Sequence, residues 1–303
     1  MRRPKAREKA PRKPERARFP APEAPALAPH SGASPGVLYL VATPIGNLAD
    51  ITLRALSVLR DVDRIAAEDT RTTRRLLDRH GIENANLASF HAHNEATMAS
   101  RLAGELLAGR SLALVTDAGT PGVSDPGFTL VREALAIGAP VVPIPGPSAV
   151  LAALAGSGLP MARFLFEGFP PRRSGPRRRM LESLAQLPHT LVFFEAPPRL
   201  AGFLADVHAV LGDRGLVIGR ELTKLYETFW RGTVSGYLAA NLPPPRGEVT
   251  VLVAGAARTR AGAGGPIDSA DDDDDDDDDD GEDDQIVDQQ TDEPEAFSPD
   301  DEG

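Results

Sequence analysis

Leu112–Thr116 reads LALVT and Val37–Ala42 reads VLYLVA, apolar at consecutive positions rather than at every second one. Successive side chains of a strand point to opposite faces, so an unbroken apolar run leaves no face for water. Such strands belong in a parallel sheet covered on both sides, and parallel neighbours need long crossovers, usually helical. The chain supplies them. After the first strand, Leu53, Leu56 and Leu59 follow at helical spacing, and Arg64–Ala67 reads as a second strand. Thr70–His80 reads as a helix ended by Gly81, and Asn86–Phe90 as a third strand. Asn94 is placed to cap a helix running through Ala108 and stopping at Gly109. LALVT is the fourth strand, Phe128, Val131 and Leu135 mark the next helix, Val141–Ile144 is the fifth strand, and Ser148–Ala155 is helical before Gly156.

Past this point the pattern changes. Strands are expected at Phe164–Phe166, Leu191–Phe194, Leu216–Arg220, Glu227–Gly232 and Glu248–Val253, with helices at Arg177–Gln186 and Arg199–Leu211. The last strands lie too close in sequence for helical crossovers, which makes them antiparallel and the second sheet mixed. The expected organisation is α/β with two domains, 37–158 carrying the parallel sheet and 159–255 the mixed one.

Charge divides the 303-residue chain differently. Residues 1–36 hold nine Lys/Arg, three Glu and eight Pro, and residues 256–303 hold two Arg and twenty-one Asp/Glu, ten of them the run Asp271–Asp280. Neither segment has the apolar content to offset its ordering entropy, so both read as disordered extensions, one basic and one acidic. The net charge of −11 therefore belongs to the tail. The absence of Cys excludes disulfides, thiolate metal sites and a cysteine nucleophile. No apolar run approaches the roughly 18 residues of a membrane span, and the charged, Pro-rich start has no secretory apolar core. A cytoplasmic protein without membrane or metal is expected.

In open α/β sheets, ligands sit beyond the carboxyl ends of the strands. Three of the loops there are rich in Gly and Pro: Thr43-Pro44-Ile45-Gly46-Asn47, the stretch Asp117 to Gly127, and Pro145-Gly146-Pro147-Ser148-Ala149. They form a rigid pocket of backbone groups suited to an adenosine-like ligand. There is no G-x-G-x-x-G after the first strand, no Gly-Lys pair and no G-x-S-x-G, against a dinucleotide fold, a P-loop and a hydrolase elbow. Glu68 and Asp69 end the second strand, as base and orienting group or, for Asp69, as helix N-cap. Arg71, Arg74 and Arg75 suit phosphates or a solvated helix face, and His91 with His93 lacks a third metal ligand. Arg172, Arg173, Arg177, Arg178 and Arg179 crowd a Pro- and Gly-broken loop, suited to a phosphate backbone or simply solvated. Lys224 either meets an anionic or hydroxyl group or joins a surface ion-pair network.

Together these stretches resemble the tetrapyrrole-methylase superfamily, and within it the branch that methylates small-subunit ribosomal RNA. The resemblance rests on LYLVATPIGNLADITLRAL (38–56), AEDTR (67–71), HNE (93–95), TDAGTPGVSDPG (116–127), PIPGPSA (143–149), FFEAPPR (193–199), RELTKLYE (220–227) and RGEVTVLVAG (246–255). It implies a two-domain fold binding S-adenosyl-L-methionine between its domains, a homodimer, and methylation of the ribose 2′-oxygen of a cytidine in 16S rRNA of the small ribosomal subunit. By the same resemblance the cofactor residues are Pro44, Thr120, Val123, Ser148, Ala149, Phe194 and Leu222, with the Pro243–Pro244 region. Glu68 or Asp69 would accept the hydroxyl proton, Lys224 would stabilise a forming alkoxide, and Arg71 and the Arg172–Arg179 loop would hold RNA. Two other readings stand beside it: a corrin or porphyrin methylase, and a non-enzymatic RNA-binding protein with the same fold. Gly119-Thr120-Pro121, where many tetrapyrrole methylases read Gly-Asp-Pro, weighs against a porphyrinoid substrate.

Overall fold

The computed structural model describes residues 32–257. The poly-aspartate run and almost all of the basic extension lie outside the described residues. The first sheet contains β1 (Leu38–Val41), β2 (Arg64–Ala67), β3 (Leu87–Ser89), β4 (Leu112–Val115) and β5 (Val141–Ile144), all parallel, in the order β3-β2-β4-β1-β5. Every residue of β4 is buried, as its unbroken apolar run requires. One face of the sheet packs on α1 (Leu53–Asp61) and α2 (Thr70–Arg79), around Leu59, Ile65 and Leu77. The other packs on α3 (Glu95–Leu107) and α4 (Phe128–Ala136), around Leu102, Leu114 and Leu130.

The second sheet holds β6 (Phe164–Gly168), β7 (Thr190–Glu195), β8 (Gly215–Arg220), β9 (Thr228–Thr233) and β10 (Val249–Val253), in the order β6-β7-β10-β8-β9. Only β6 and β7 run parallel; the other pairs are antiparallel, so the sheet is mixed as expected. α6 (Ser174–Leu184), α7 (Leu200–Leu211) and α8 (Val234–Ala239) cover one face around Phe193, Phe203 and Val251. The opposite face is covered by α5 (Ala149–Ala155), which arrives from the first half of the chain. Its Val150, Ala153 and Leu154 join Ile45 against Val192, Val217, Leu222 and Leu252. This shared apolar layer fixes the first sheet's loops against the second sheet.

Several local expectations are corrected. Asn94 occupies the N-cap position of α3 but makes no side-chain cap bond: its Oδ1 accepts from the His91 amide and its Nδ2 donates to the Ser89 carbonyl, closing the turn before the helix. Glu95 instead serves the neighbouring helix, its Oε1 accepting from Gly127 and Thr129 at the start of α4. Phe128 and Leu135 point to solvent, and Leu130 and Ala134 make the buried face of α4. The helix expected from Arg177 starts earlier, at Ser174, so the arginine-rich stretch is loop only through Arg173.

Candidate active site

The loops after β1 and β4 are tied together. Thr43 and Gly119 exchange backbone hydrogen bonds of 2.9 and 3.0 Å, and Gly119 turns there with φ +80°. Ser148 caps α5 through its hydroxyl. Between these loops and the second sheet lies a cavity of about 400 Å³. Thr120, Val123, Ser148, Ala149 and Phe194 line it, as do Asp125, Phe169, Glu195 and the backbone segment Gly247 to Thr250. Phe169 and Phe194 pack as a tilted aromatic pair with centroids 5.5 Å apart.

Two of the expected cofactor residues are elsewhere. Pro44 lines a second cavity of about 240 Å³, and Leu222 is buried in the apolar layer between the halves. Residues 247–250, rather than Pro243–Pro244, form the wall.

The main cavity's lining includes Asp125, Glu195 and Glu248, and no Lys or Arg. Two of these acidic groups are compensated from behind, Glu195 by Arg199 and Glu248 by Lys224. Glu195 is buried; its Oε1 accepts from the Ala196 amide at 2.7 Å and pairs with Arg199, while Oε2 has no hydrogen-bond partner among the described residues. The Glu195 side chain is fully buried, so Oε2 is an unpaired acceptor behind the cavity wall. Burial, and after it the charges of Glu68 and Asp117, push the Asp125 carboxyl up to about 6. Asp117 is raised too, by burial first and then by Glu68 and Asp69.

The expected catalytic groups fall into different situations. Glu68 Oε2 accepts from the Asp117 amide at 3.2 Å, which ties the ends of β2 and β4 together. Asp69 caps α2 through the Arg71 amide, and the Arg71 guanidinium donates to both its oxygens, at 3.1 and 2.7 Å. These hydrogen bonds hold its carboxyl well below the usual carboxylate range and occupy the lone pairs a base would use. Lys224 lies against Gly46, its ammonium on Glu221 and Glu248 at 2.9 and 2.8 Å. Burial alone would lower its pKa; the two carboxylates outweigh that and hold the ammonium above its ordinary range. The ion-pair reading of Lys224 is the one the geometry displays.

Among the expected RNA contacts, Arg172, Arg173, Arg178 and Arg179 are exposed, and the Arg71 side chain is 84% exposed. Arg177 is not available to a phosphate. It is buried, with Nε on Asp206 and the rest of its guanidinium on the Arg172 and Gly202 carbonyls. Asp125 and Glu195 were not singled out from the sequence. Both had a legible signal, since Glu195 ends a strand at the ligand-binding edge and Asp125 belongs to the loop after β4.

A family model described as "Tetrapyrrole (Corrin/Porphyrin) Methylases" matches residues 37–236. The chain belongs to the tetrapyrrole methylase family. Within that family its similarity is to proteins named "Ribosomal RNA small subunit methyltransferase I". The one from Xylella fastidiosa (strain Temecula1) is 52% identical over 228 residues, 74% of this methylase and 83% of the relative. The one from Mesorhizobium japonicum is 53% identical over 236 residues, covering 76% and 79%. Solved structures share the methylase fold at lower identity. The methyltransferase CobJ superposes with TM-score 0.56 at 20% identity, covering 75% of this chain and 96% of that one. A Thermus thermophilus uroporphyrin-III C-methyltransferase complexed with S-adenosylhomocysteine gives 0.52 at 18%, covering 71% and 96%.

Proposed function

We propose that this methylase transfers a methyl group from S-adenosylmethionine to the ribose 2′-oxygen of a cytidine in the 16S rRNA of the small ribosomal subunit. The observation that carries the cofactor reading is the main cavity's charge. The lining has no basic side chain, and Asp125 has no ion-pair partner among the described residues, which suits a sulfonium cation better than a nucleotide phosphate. The aromatic pair and the loop backbone suit an adenosine. The relatives, about half identical over most of their length, support ribosomal RNA as the acceptor.

When bound, the cofactor supplies an electrophilic methyl, whose bond to sulfur breaks as its bond to the acceptor oxygen forms. The chain must hold the ribose hydroxyl in line and take its proton. Asp125 is the group suited to that proton. It faces the cavity, no guanidinium occupies it, and its pKa near 6 leaves it ionised at neutral pH yet more basic than an ordinary carboxylate. Asp69, saturated by Arg71, is a positioning group instead. Arg71, Arg172, Arg173 and Arg179 hold phosphates, and their exposure supports that role.

The same reading places the protein in the cytoplasm and makes it a homodimer. Phe128 and Leu135, 68% and 60% exposed and seven residues apart on one helix face, supply an apolar patch for a second copy. The test is incorporation of labelled methyl into small subunits from a strain lacking the protein. Label in 16S rRNA is expected; label in a corrinoid and none in any ribosomal particle would overturn the reading.

A further inference from the structure

The second cavity shares no lining residue with the first, although Pro44, expected at the cofactor, is one of its walls. It lies at the ends of β1 and β4 against α2, lined by Thr43, Pro44, Leu48, Thr72, Thr73, Arg75, Leu76, Thr116 and Asp117. At about 240 Å³ it is smaller than the roughly 300–1,000 Å³ of drug-sized ligand sites. One heterocycle with its sugar suits it better than a porphyrinoid. Hydroxyls dominate its polar wall, and its charged lining residues are one cation, Arg75, and one anion, Asp117. The Thr116 hydroxyl is buried and lies near Asp125 without closing a hydrogen bond of normal geometry. It is a polar group left for a ligand at the partition between the two cavities.

The surroundings point to a polynucleotide. Arg75 is shared with an open surface hollow formed with Thr70, Arg71, Arg74 and Leu87, so the cavity adjoins a row of arginines along α2. On the other side the Thr223 hydroxyl accepts from the Asn47 amide, which seats the 221–227 loop beside Leu48. That loop presents Leu225 and Tyr226, 87% and 67% exposed. A mostly apolar pocket with a few threonine hydroxyls, flanked by guanidiniums, suits a nucleoside whose neighbouring phosphates stay outside.

We infer that the second cavity receives the acceptor pyrimidine of an RNA strand and that Asp117 selects cytosine by accepting from its exocyclic amino group. A cytosine edge presents an amino donor where uracil presents a carbonyl oxygen, so a carboxylate attracts the first and repels the second. Threonine hydroxyls can donate to the ring's remaining acceptors. The sugar then lies toward Thr116 and Asp125, at the partition beyond which the main cavity begins. This assignment rests on the ribose-methylation reading, and it specifies where the acceptor base goes.

The test uses full-length protein and small subunits reconstituted with either cytidine or uridine at the methylated position. Leu48→Trp fills the cavity from its half-exposed rim, and Thr72→Phe fills it from α2, so one folded variant suffices; melting curves identify it. Transfer is expected to fall at least tenfold in the filled variants, with S-adenosylhomocysteine affinity within twofold of wild type. Asp117→Asn is expected to reduce the cytidine-over-uridine preference at least tenfold, a ratio that general damage to the fold would not move. A folded, filled variant that keeps transfer within tenfold overturns the pocket assignment. So does an active wild type without base preference, or an Asp117→Asn whose preference is unchanged. A wild type that methylates neither particle removes the ribose-methylation reading, and the pocket assignment falls with it.

Discussion

Arg177 and Asp206 form a buried ion pair across α6 and α7, with Nε 2.8 Å from Oδ2 and the neighbouring Arg178 Nε 2.6 Å from Oδ1. The carboxylate also accepts from the Ser174 hydroxyl at 2.9 Å. It thus takes Arg177 out of service for RNA, holds Arg178 by its Nε while that side chain stays 51% exposed, and fastens the start of α6. Removing one partner of such a pair strands the other charge in a dry site. Asp206→Asn should destabilise the fold by about 3–5 kcal/mol, measured by denaturant unfolding. Arg172→Glu with Arg173→Glu should leave stability near wild type and weaken RNA binding, most at low salt. The reverse pattern would mean the arginines are misassigned.

Gly247 stands in the cavity wall with φ +89°, and a Cβ there would run into the Glu221 carboxylate. That carboxylate holds Lys224 and the Glu248 amide. Gly247→Ala therefore combines a strained backbone, about 1–3 kcal/mol, with displacement of this network. Titration calorimetry should show weaker cofactor binding; unchanged affinity would separate the 247–250 wall from the cofactor.

Asp125 gives a pH signature with two opposed parts. As proton acceptor it must be ionised, so transfer should rise with pH through about 6 and then level. For stability the sign reverses. The folded state holds this proton more tightly than the unfolded chain, whose group titrates near 3.8. Its contribution is present at lower pH and is lost as pH rises from the unfolded value through about 6. Asp125→Asn cannot ionise. It should melt higher than wild type at pH 8, with the gap closing toward pH 4, while transfer drops by about 10²–10⁴. A variant with near-normal transfer would exclude Asp125 as the base.

The exposed face of α4 predicts an assembly. Light scattering should give twice the monomer mass for wild type, and Phe128→Glu with Leu135→Glu should shift it toward the monomer. A wild-type monomer across a wide concentration range would contradict the dimer.

The parallel sheet was legible because a doubly covered strand has to be written as an unbroken apolar run, as β4 is. The second sheet's antiparallel pairs followed from short connections, although α8, six residues starting directly after β9, carried too little periodicity to stand out. The arginine stretch misled for a local reason. Pro170, Pro171, Gly175 and Pro176 read as loop, yet Pro176 sits in the first turn of α6, where an amide hydrogen has no helical partner to lose. Asp206, about thirty residues downstream, gives no local sign of the pairing. Asp125 stood in a loop already read as a ligand site, but its burial and the nearness of Glu68, from the end of β2, are set by the fold and leave no local sign.

The central claim is ribose methylation, and alkaline hydrolysis reads it directly. Hydrolysis proceeds through attack of a 2′-oxygen on the adjacent phosphate, so a methyl on that oxygen protects one linkage while a methyl on the base protects none. Small subunits from a strain lacking this protein, treated with the purified chain and S-adenosylmethionine, should gain a single alkali-resistant position at a cytidine of 16S rRNA. Methyl incorporation without a new resistant position would contradict the account.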